Sequence, residues 1–425
     1  MYQDNLKLTK IGWLPKEWEV KRLEQLVIID KESLSNNTPP DYEFEYISLS
    51  DTDAGNISLS AKKIKFKDAP SRARRVVKQN DVLISTVRPN LQNFVFIKNE
   101  VNNLVASTGF SVLTAKKDFE NEFGFYCLFS TSMTKQLYNL VVGSNYPAIN
   151  SSDVKSLQIP LPPLAEQQKI ASILRGCDAV IDKTQALINA LQKRHKALMQ
   201  QLLTGKKRVL GFEKEKGFHF TDLGLKIPKN WKIINVEDIF NERNEKSNDQ
   251  TAFPLYSLTI EKGLTAKTDR YDRSFLLKDK EANEFKVVSP MDLLFNPMNL
   301  RFGAIAMSYE NQKVSVSAYY NILIPKVKLI DSFFYESIFK SKRFIGLYDR
   351  IAIGSLNEKK RVHLSNFLKL EIPFPSLAEQ QEIAEILRGS EKEIQLYEKQ
   401  LAALKQQKRG LMQVLLTGRV RVKVN

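Results

Sequence analysis

The sequence predicts an α+β protein in which two mixed α/β domains are separated by two long helices forming an antiparallel coiled coil, the whole a pseudo-two-fold internal duplication. Three observations predict it. Long segments recur at one fixed distance along the chain, a seven-residue apolar repeat follows each copy, and short strand-like runs fill the stretches between them.

The recurrence comes first because it sets the architecture. Ile159-Pro-Leu-Pro-Pro-Leu-Ala-Glu-Gln-Gln168 returns as Ile372-Pro-Phe-Pro-Ser-Leu-Ala-Glu-Gln-Gln381, and Leu198-Met-Gln-Gln-Leu-Leu-Thr-Gly205 returns as Leu411-Met-Gln-Val-Leu-Leu-Thr-Gly418. Pro15-Lys-Glu-Trp18 is answered by Pro228-Lys-Asn-Trp231, and all three pairs lie 213 positions apart. Two units of that length account for the whole chain, and the period is too long for a solenoid. Between the matched ends, the interiors share only weak anchors: Asp81-Val-Leu-Ile with Asp292-Leu-Leu-Phe, Ser111-Val-Leu with Asn321-Ile-Leu, and Gly143-Ser144 with Gly354-Ser355. The expected segments are a first α/β domain over 1–158, a central arm over 159–210, a second domain over 211–371 and a C-terminal arm over 372–425.

The arms are read as helices. Prolines at 160, 162 and 163, and at 373 and 375, mark rigid entries, because proline removes a backbone donor and stops what precedes it. Beyond them, Leu174, Ile181, Ile188, His195 and Leu202 form one heptad row, and Ile170, Cys177, Thr184, Leu191 and Leu198 the other. The second copy supplies Leu387, Ile394, Leu401, Lys408 and Leu415 with Ile383, Ser390, Tyr397, Leu404 and Leu411. A 3.5-residue repeat sustained this long predicts a coiled-coil seam over about 40 residues, roughly 60 Å of helix. Gly205 and Gly418 supply left-handed caps, while Gly176 and Gly389 inside the pattern predict a kink. His195 and Lys408 occupy the same seam position and read as register devices, ahead of any catalytic use of the histidine. The arms either pack antiparallel on each other or each pack on its own domain; the predicted fold takes the first arrangement.

Within the interiors, Val76–Val87, Phe94–Ile97 and Phe110–Leu113 read as strands, and Phe123–Val142 and Phe333–Ala352 as amphipathic helices leading into Gly-Ser loops.

Composition narrows the function. Sixty-four Lys and Arg against 48 Asp and Glu leave a net charge of +16, which favours a polyanionic partner such as nucleic acid. Two cysteines and three histidines, none spaced as ligands, argue against a disulfide framework or a structural zinc site. The first residues lack an apolar signal region and nowhere do 18 apolar residues run together, so a cytoplasmic protein with no membrane segment is expected.

Basic residues cluster in the interiors, as phosphate neutralisation requires. Lys63, Lys65, Arg72, Arg74 and Arg75 in the first, and Arg270, Arg273, Lys359, Lys360 and Arg361 in the second, are candidate DNA contacts. The loops after the helices add Ser144, Asn145, Tyr146, Ser355 and Asn357, and two turns add Arg88, Asn90 and Arg301, since loops on a rigid frame commonly carry recognition. For Arg88 and Arg301 a structural ion pair is an equal alternative. Catalytic signatures are missing: there is no phosphate-binding glycine loop, and Asn296-Pro-Met-Asn299 lacks the aromatic that amino-methyltransferase motifs stack on a flipped base. Asp272, Glu284 and Lys286 have the residue types of a metal-dependent nuclease, which stays open as an alternative, as does a coiled-coil scaffold with incidental charge.

The paired Pro-Leu-Ala-Glu-Gln-Gln and Pro-Ser-Leu-Ala-Glu-Gln-Gln motifs, the Pro-Lys-x-Trp openings and the Leu-Leu-Thr-Gly arm ends resemble the specificity (S) subunit of type I restriction–modification systems over the full chain. The resemblance implies two target-recognition domains held by two helices and a double-stranded DNA partner. It also implies assembly with two modification (methyltransferase) subunits and with restriction/translocase subunits. On this view the chain is a non-catalytic recognition subunit that binds no cofactor of its own; S-adenosylmethionine, ATP and Mg belong to the partners. Glu166, Gln167, Gln168, Glu379, Gln380 and Gln381 are the expected partner-binding positions. Two unlike interiors on a fixed frame imply a bipartite, asymmetric target, with the arms setting the spacer.

Overall fold

A computed structural model describes residues 5–53, 55–57, 63–141, 147–213, 217–220, 224, 226–266, 285–326, 328–356 and 359–424. The chain forms two compact units, Met1–Ala186 with Lys399–Asn425, and Leu187–Glu398. These cut across the expected linear segments. Each unit takes one α/β domain, the first half of the arm that follows it, and the second half of the other arm.

In the first unit, a four-stranded sheet runs in the order Phe94–Phe96, Val82–Ser85, Phe110–Ala115, Val27–Ile29, with all neighbours antiparallel. Side chains alternate along a strand. Val82 and Ile84 join the core beneath the helices, while Leu83 packs with Val95 and Val112 in a second cluster. Both faces are therefore covered, and this is why Val82-Leu83-Ile84 reads as a continuous apolar run and not an alternating one. A second sheet runs Lys63–Lys65, Glu43–Ile47, Leu104–Ser107, Ala73–Val77, its middle pair parallel.

The second unit repeats the first sheet in the same order: Ile305–Met307, Leu293–Phe295, Asn321–Pro325, Phe240–Arg243. The weak sequence anchors thus fall on equivalent strands. Its other sheet has three described strands, Lys246–Ser247, Phe285–Val288 and Val314–Val316.

Local chemistry corrects three expectations. The run Val76–Val87 is two strands, because Asn80 turns the chain at φ +67° and Asp81 closes the turn by accepting the Lys78 amide at 2.8 Å. The two long amphipathic stretches are each a pair of helices, Asn121–Leu128 with Thr131–Leu140, and Ser332–Phe339 with Lys342–Ile351. Ser130 and Ser341 interrupt them by taking extended backbone and capping the next helix through the amides of Met133 and Phe344. The proline-rich entries are strands: Gln158–Leu161 pairs with Glu19–Arg22, and Glu371–Phe374 with Lys232–Asn235, in two-stranded ribbons where a missing proline donor faces no third strand.

The arms are single helices of 39 residues, Leu164–Leu202 and Leu377–Leu415. Every residue of the four heptad rows is buried or half-buried. The pairing is antiparallel in each unit. In the first, Asp178 meets Lys408; in the second, Gln192 meets Glu398, Arg194 meets Glu393 and His195 meets Glu391. Both helices run through Gly176 and Gly389, where an added Cβ would face open space. Among the described residues no helix is long and apolar enough to cross a membrane.

Candidate nucleic-acid interface

The Leu-Ala-Glu-Gln-Gln motif turns out to be a joint. Glu379 accepts the Trp231 indole N–H at 2.9 Å and a bidentate pair from Arg208, at 2.7 and 2.8 Å. In the first unit Glu166 accepts from Trp18 at 3.1 Å and from Arg421 at 2.6 and 3.0 Å. The adjacent glutamines each accept the amide of a helix-capping residue, Gln167 from Glu120 and Gln380 from Asp331, both at 2.9 Å. Their amide groups donate back to Pro162 and Pro375 carbonyls. Hydrogen-bonding to Glu166 raises the Arg421 pKa above its ordinary value, so this guanidinium stays charged. Glu166, Gln167, Glu379 and Gln380 are therefore not surface groups, as expected for partner binding, but buried polar ties whose partners come from the domain and from the other arm's end. Gln168 and Gln381 do face solvent.

Each joint is closed by a glycine. Gly205 (φ +62°) lies so close to Pro228 that a Cβ would sit 2.2 Å from its Cγ, and Gly418 (φ +64°) repeats this against Pro15 at 2.4 Å. Cap and close approach together explain why the Leu-Leu-Thr-Gly and Pro-Lys-x-Trp motifs recur as a set.

On this frame each unit carries a ridge in which two of the predicted elements meet. In the first unit the turn after Val82–Ser85 hydrogen-bonds to the end of the post-helix loop: Arg88 donates its amide to the Pro147 carbonyl at 2.7 Å, and Ile149 donates to Thr86 at 2.9 Å. In the second, Val362 donates to Pro297 at 2.9 Å, and the loop itself closes as a bridge between Ile353 and Arg361. Gly354 is required there, since a Cβ would meet the Lys360 backbone at 2.8 Å.

The basic candidates divide by environment. Arg88 and Asn90 are exposed on the first ridge, and Ser355, Lys359 and Arg361 on the second, with Lys360 half-buried. Lys63 and Arg72 are exposed on or beside the second sheet. Lys65 lies 3.6 Å from Asp41, Arg75 pairs with Asp30 at 3.1 Å, and Arg74 stacks 4.9 Å above Phe66, so these three already have partners in the fold. Arg301 is a structural cation: its side chain is only 8% exposed and its Nε lies 2.8 Å from the Asp349 carboxylate. Ser144, Asn145, Tyr146, Arg270, Arg273 and Asn357 lie outside the described residues.

Of the nuclease candidates, Asp272 and Glu284 also fall outside the described residues. Lys286 donates to the Tyr320 carbonyl at 2.8 Å, and burial lowers its pKa. Among the described residues no group of His, Cys, Asp and Glu side chains is placed to hold a metal ion. Two conspicuous acids are buried structural groups: Asp81 accepts from Thr114 at 2.7 Å, and Asp292 takes a bidentate pair from Arg243, with burial raising the pKa of both.

Sequence reading missed the apolar side chains beside these cations. Leu91, Tyr138, Met298, Phe302, Ile353 and Leu356 are all substantially exposed on or next to the two ridges. Their offsets carry no periodicity; the one available signal was that Leu91 and Phe302 end turns at matching places in two unlike interiors.

The family model for the type I restriction modification DNA specificity domain matches residues 15–193 and again 228–406. A putative type I restriction enzyme MjaX specificity subunit from Methanocaldococcus jannaschii is 24% identical, covering 99% of this chain and 98% of its own. The MjaVIII specificity subunit of the same organism is 24% identical over 96% of this chain and 94% of its own. Among solved structures, the S subunit of a type I restriction–modification system from M. genitalium superposes with a TM-score of 0.57 at 16% identity, covering 97% of this chain and 98% of that one. That likeness is one of fold.

Proposed function

This chain belongs to the type I restriction–modification DNA specificity family, and we propose that it is the non-catalytic subunit that selects the DNA sequence on which partner subunits act. It is a specificity subunit of such a system, so DNA and the other restriction–modification subunits are its partners. In the proposed reading, each α/β domain takes one half of a bipartite, asymmetric duplex target, and the helical arms set the spacer. Two modification subunits dock on the arms and bring S-adenosylmethionine; restriction/translocase subunits bring ATP and Mg.

The observation that carries this reading is the contrast between frame and ridge. The Trp–Glu–Arg ties of the joints recur residue for residue 213 positions apart, yet the ridges they support differ: Arg88-Pro-Asn-Leu91 in one unit, Asn299-Leu-Arg-Phe302 in the other. A shared frame suits a partner used twice, and unlike ridges suit unlike half-sites. The exposed cations on the ridges neutralise phosphates and fix register, and side chains reaching base edges supply sequence information.

The test is long-read mapping of methylated adenines in cells that carry this chain with its partner subunits and in cells that lack it. One asymmetric split motif, methylated only when the chain is present, is expected. Methylation independent of the chain would refute the assignment, as would purified chain cutting or methylating duplex unaided.

A further inference from the structure

We infer that Leu91 and Phe302 are apolar wedges that enter between base pairs of their respective half-sites, an inference resting on the DNA-recognition reading above. In each unit the hairpin of the first sheet is crossed by a single 3-10 turn, Pro89–Leu91 in one and Leu300–Phe302 in the other. The two turns share no residue at matching positions, yet they are built alike. The first residue, Pro89 or Leu300, is buried and anchors the turn; the last is held in solvent, Leu91 at 52% and Phe302 at 57% exposure.

Both turns are preorganised. Arg88 (φ +48°) and Gln92 (φ +54°) flank the first in left-handed backbone that non-glycine residues rarely adopt, and the Gln92 side chain donates to Thr134 at 3.2 Å. The second closes at Gly303 (φ +95°), and the Arg301 guanidinium, fixed by Asp349, lies 5.3 Å from the Phe302 ring centroid. A single exposed leucine needs no explanation. The same placement in two otherwise unlike domains does, because each sits on the ridge where Arg88, or Lys359 and Arg361, face solvent.

A surface that binds phosphates gains nothing from a large apolar side chain unless that side chain reaches the bases. Leucine and phenylalanine are among the residues that unstack base steps, and a rigid turn is the means of delivering one. Partial unstacking also gives specificity, because the energy of opening a step depends on its sequence.

The experiment uses the full chain assembled with its modification subunits, and duplexes carrying the mapped target with 2-aminopurine placed at successive steps of one half-site. With unaltered protein, fluorescence should rise at one step other than the methylated adenine. Phe302→Ala should abolish that rise in the second half-site and weaken binding about 10-fold, the scale of one lost base–side-chain stack, without changing the salt dependence. Phe302→Leu, carrying the residue type of the other unit, should restore most of both, and Leu91→Ala should act on the first half-site alone. No rise at any such step with the unaltered complex, or Phe302→Ala with unchanged fluorescence and affinity, would overturn the wedge while leaving sequence-selective binding intact. A complex unable to tell the mapped duplex from a scrambled one would overturn the recognition reading along with it.

Discussion

The indole N–H of Trp231 donates to Glu379 at 2.9 Å, and the same carboxylate holds Arg208 in a bidentate pair, tying domain, arm start and arm end into one buried contact. Its counterpart at Glu166 is built from the same residue types, but Arg421 is 41% exposed where Arg208 is 10% exposed. Removing one partner of a buried pair strands the other charge and costs about 3–5 kcal/mol, whereas an exposed partner is rehydrated and the loss falls to about 1–3 kcal/mol. Glu379→Ala should therefore destabilise the protein more than Glu166→Ala, measured by denaturant unfolding of the two variants. Equal losses would mean that solvent access to the arginine does not set the strength of the joint.

Gly205→Ala should be more damaging than its size suggests. The left-handed backbone costs an alanine about 1–2 kcal/mol, and the contact with Pro228 adds about 1–3 kcal/mol of overpacking. Gly176→Ala, on an open helix face, should instead stabilise by up to about 1 kcal/mol. Thermal unfolding of both variants checks the contrast.

The seam predicts a pH response in the second unit. His195 is half-buried beside Glu391, at 3.7 Å, with its Nδ1 buried and without a hydrogen-bond partner among the described residues. Burial lowers its pKa below 6.5 and raises that of Glu391 above 4.5. A base with a depressed folded pKa contributes fully above the unfolded value and loses that contribution as pH falls below it. Stability should thus decline as pH falls from about 6.5, until protonation of Glu391 acts in the opposite direction. His195→Gln should flatten the melting temperature just below pH 6.5; an unchanged slope would assign the response elsewhere. Lys408, at the equivalent position, instead forms an ion pair with Asp178.

Arg301 and Arg361 should separate structure from binding. Arg301→Ala removes a buried cation from Asp349 and should cost about 1–3 kcal/mol of stability. Arg361→Ala, exposed on the ridge, should leave stability unchanged while weakening binding and lowering the salt slope by about one. Filter binding across a salt series, run beside unfolding curves, distinguishes them.

The duplication, the two helices and their seam were legible because periodicity and recurrence are properties of the chain itself. What the Glu-Gln pair faces was not, since Glu166 meets Arg421 across 255 positions and recurrence alone does not say whether a repeated polar residue points in or out. The division of the long amphipathic stretches hung on single serines at 130 and 341, whose capping preference is weaker in sequence than the apolar pattern on either side. Among the basic residues, charge marked the surface but not the partners. Arg301 and Arg361 are alike in sequence and unlike in environment, because Asp349 lies beside one of them and the other faces solvent.

If two unlike readers share one frame, they can be exchanged one at a time, and the decisive measurement replaces residues 16–158 with the corresponding interior of another family member. Mapping of methylated adenines should then show one half of the target changed and the other half and the spacer unaltered. Change in both halves, or in the spacer, would contradict it.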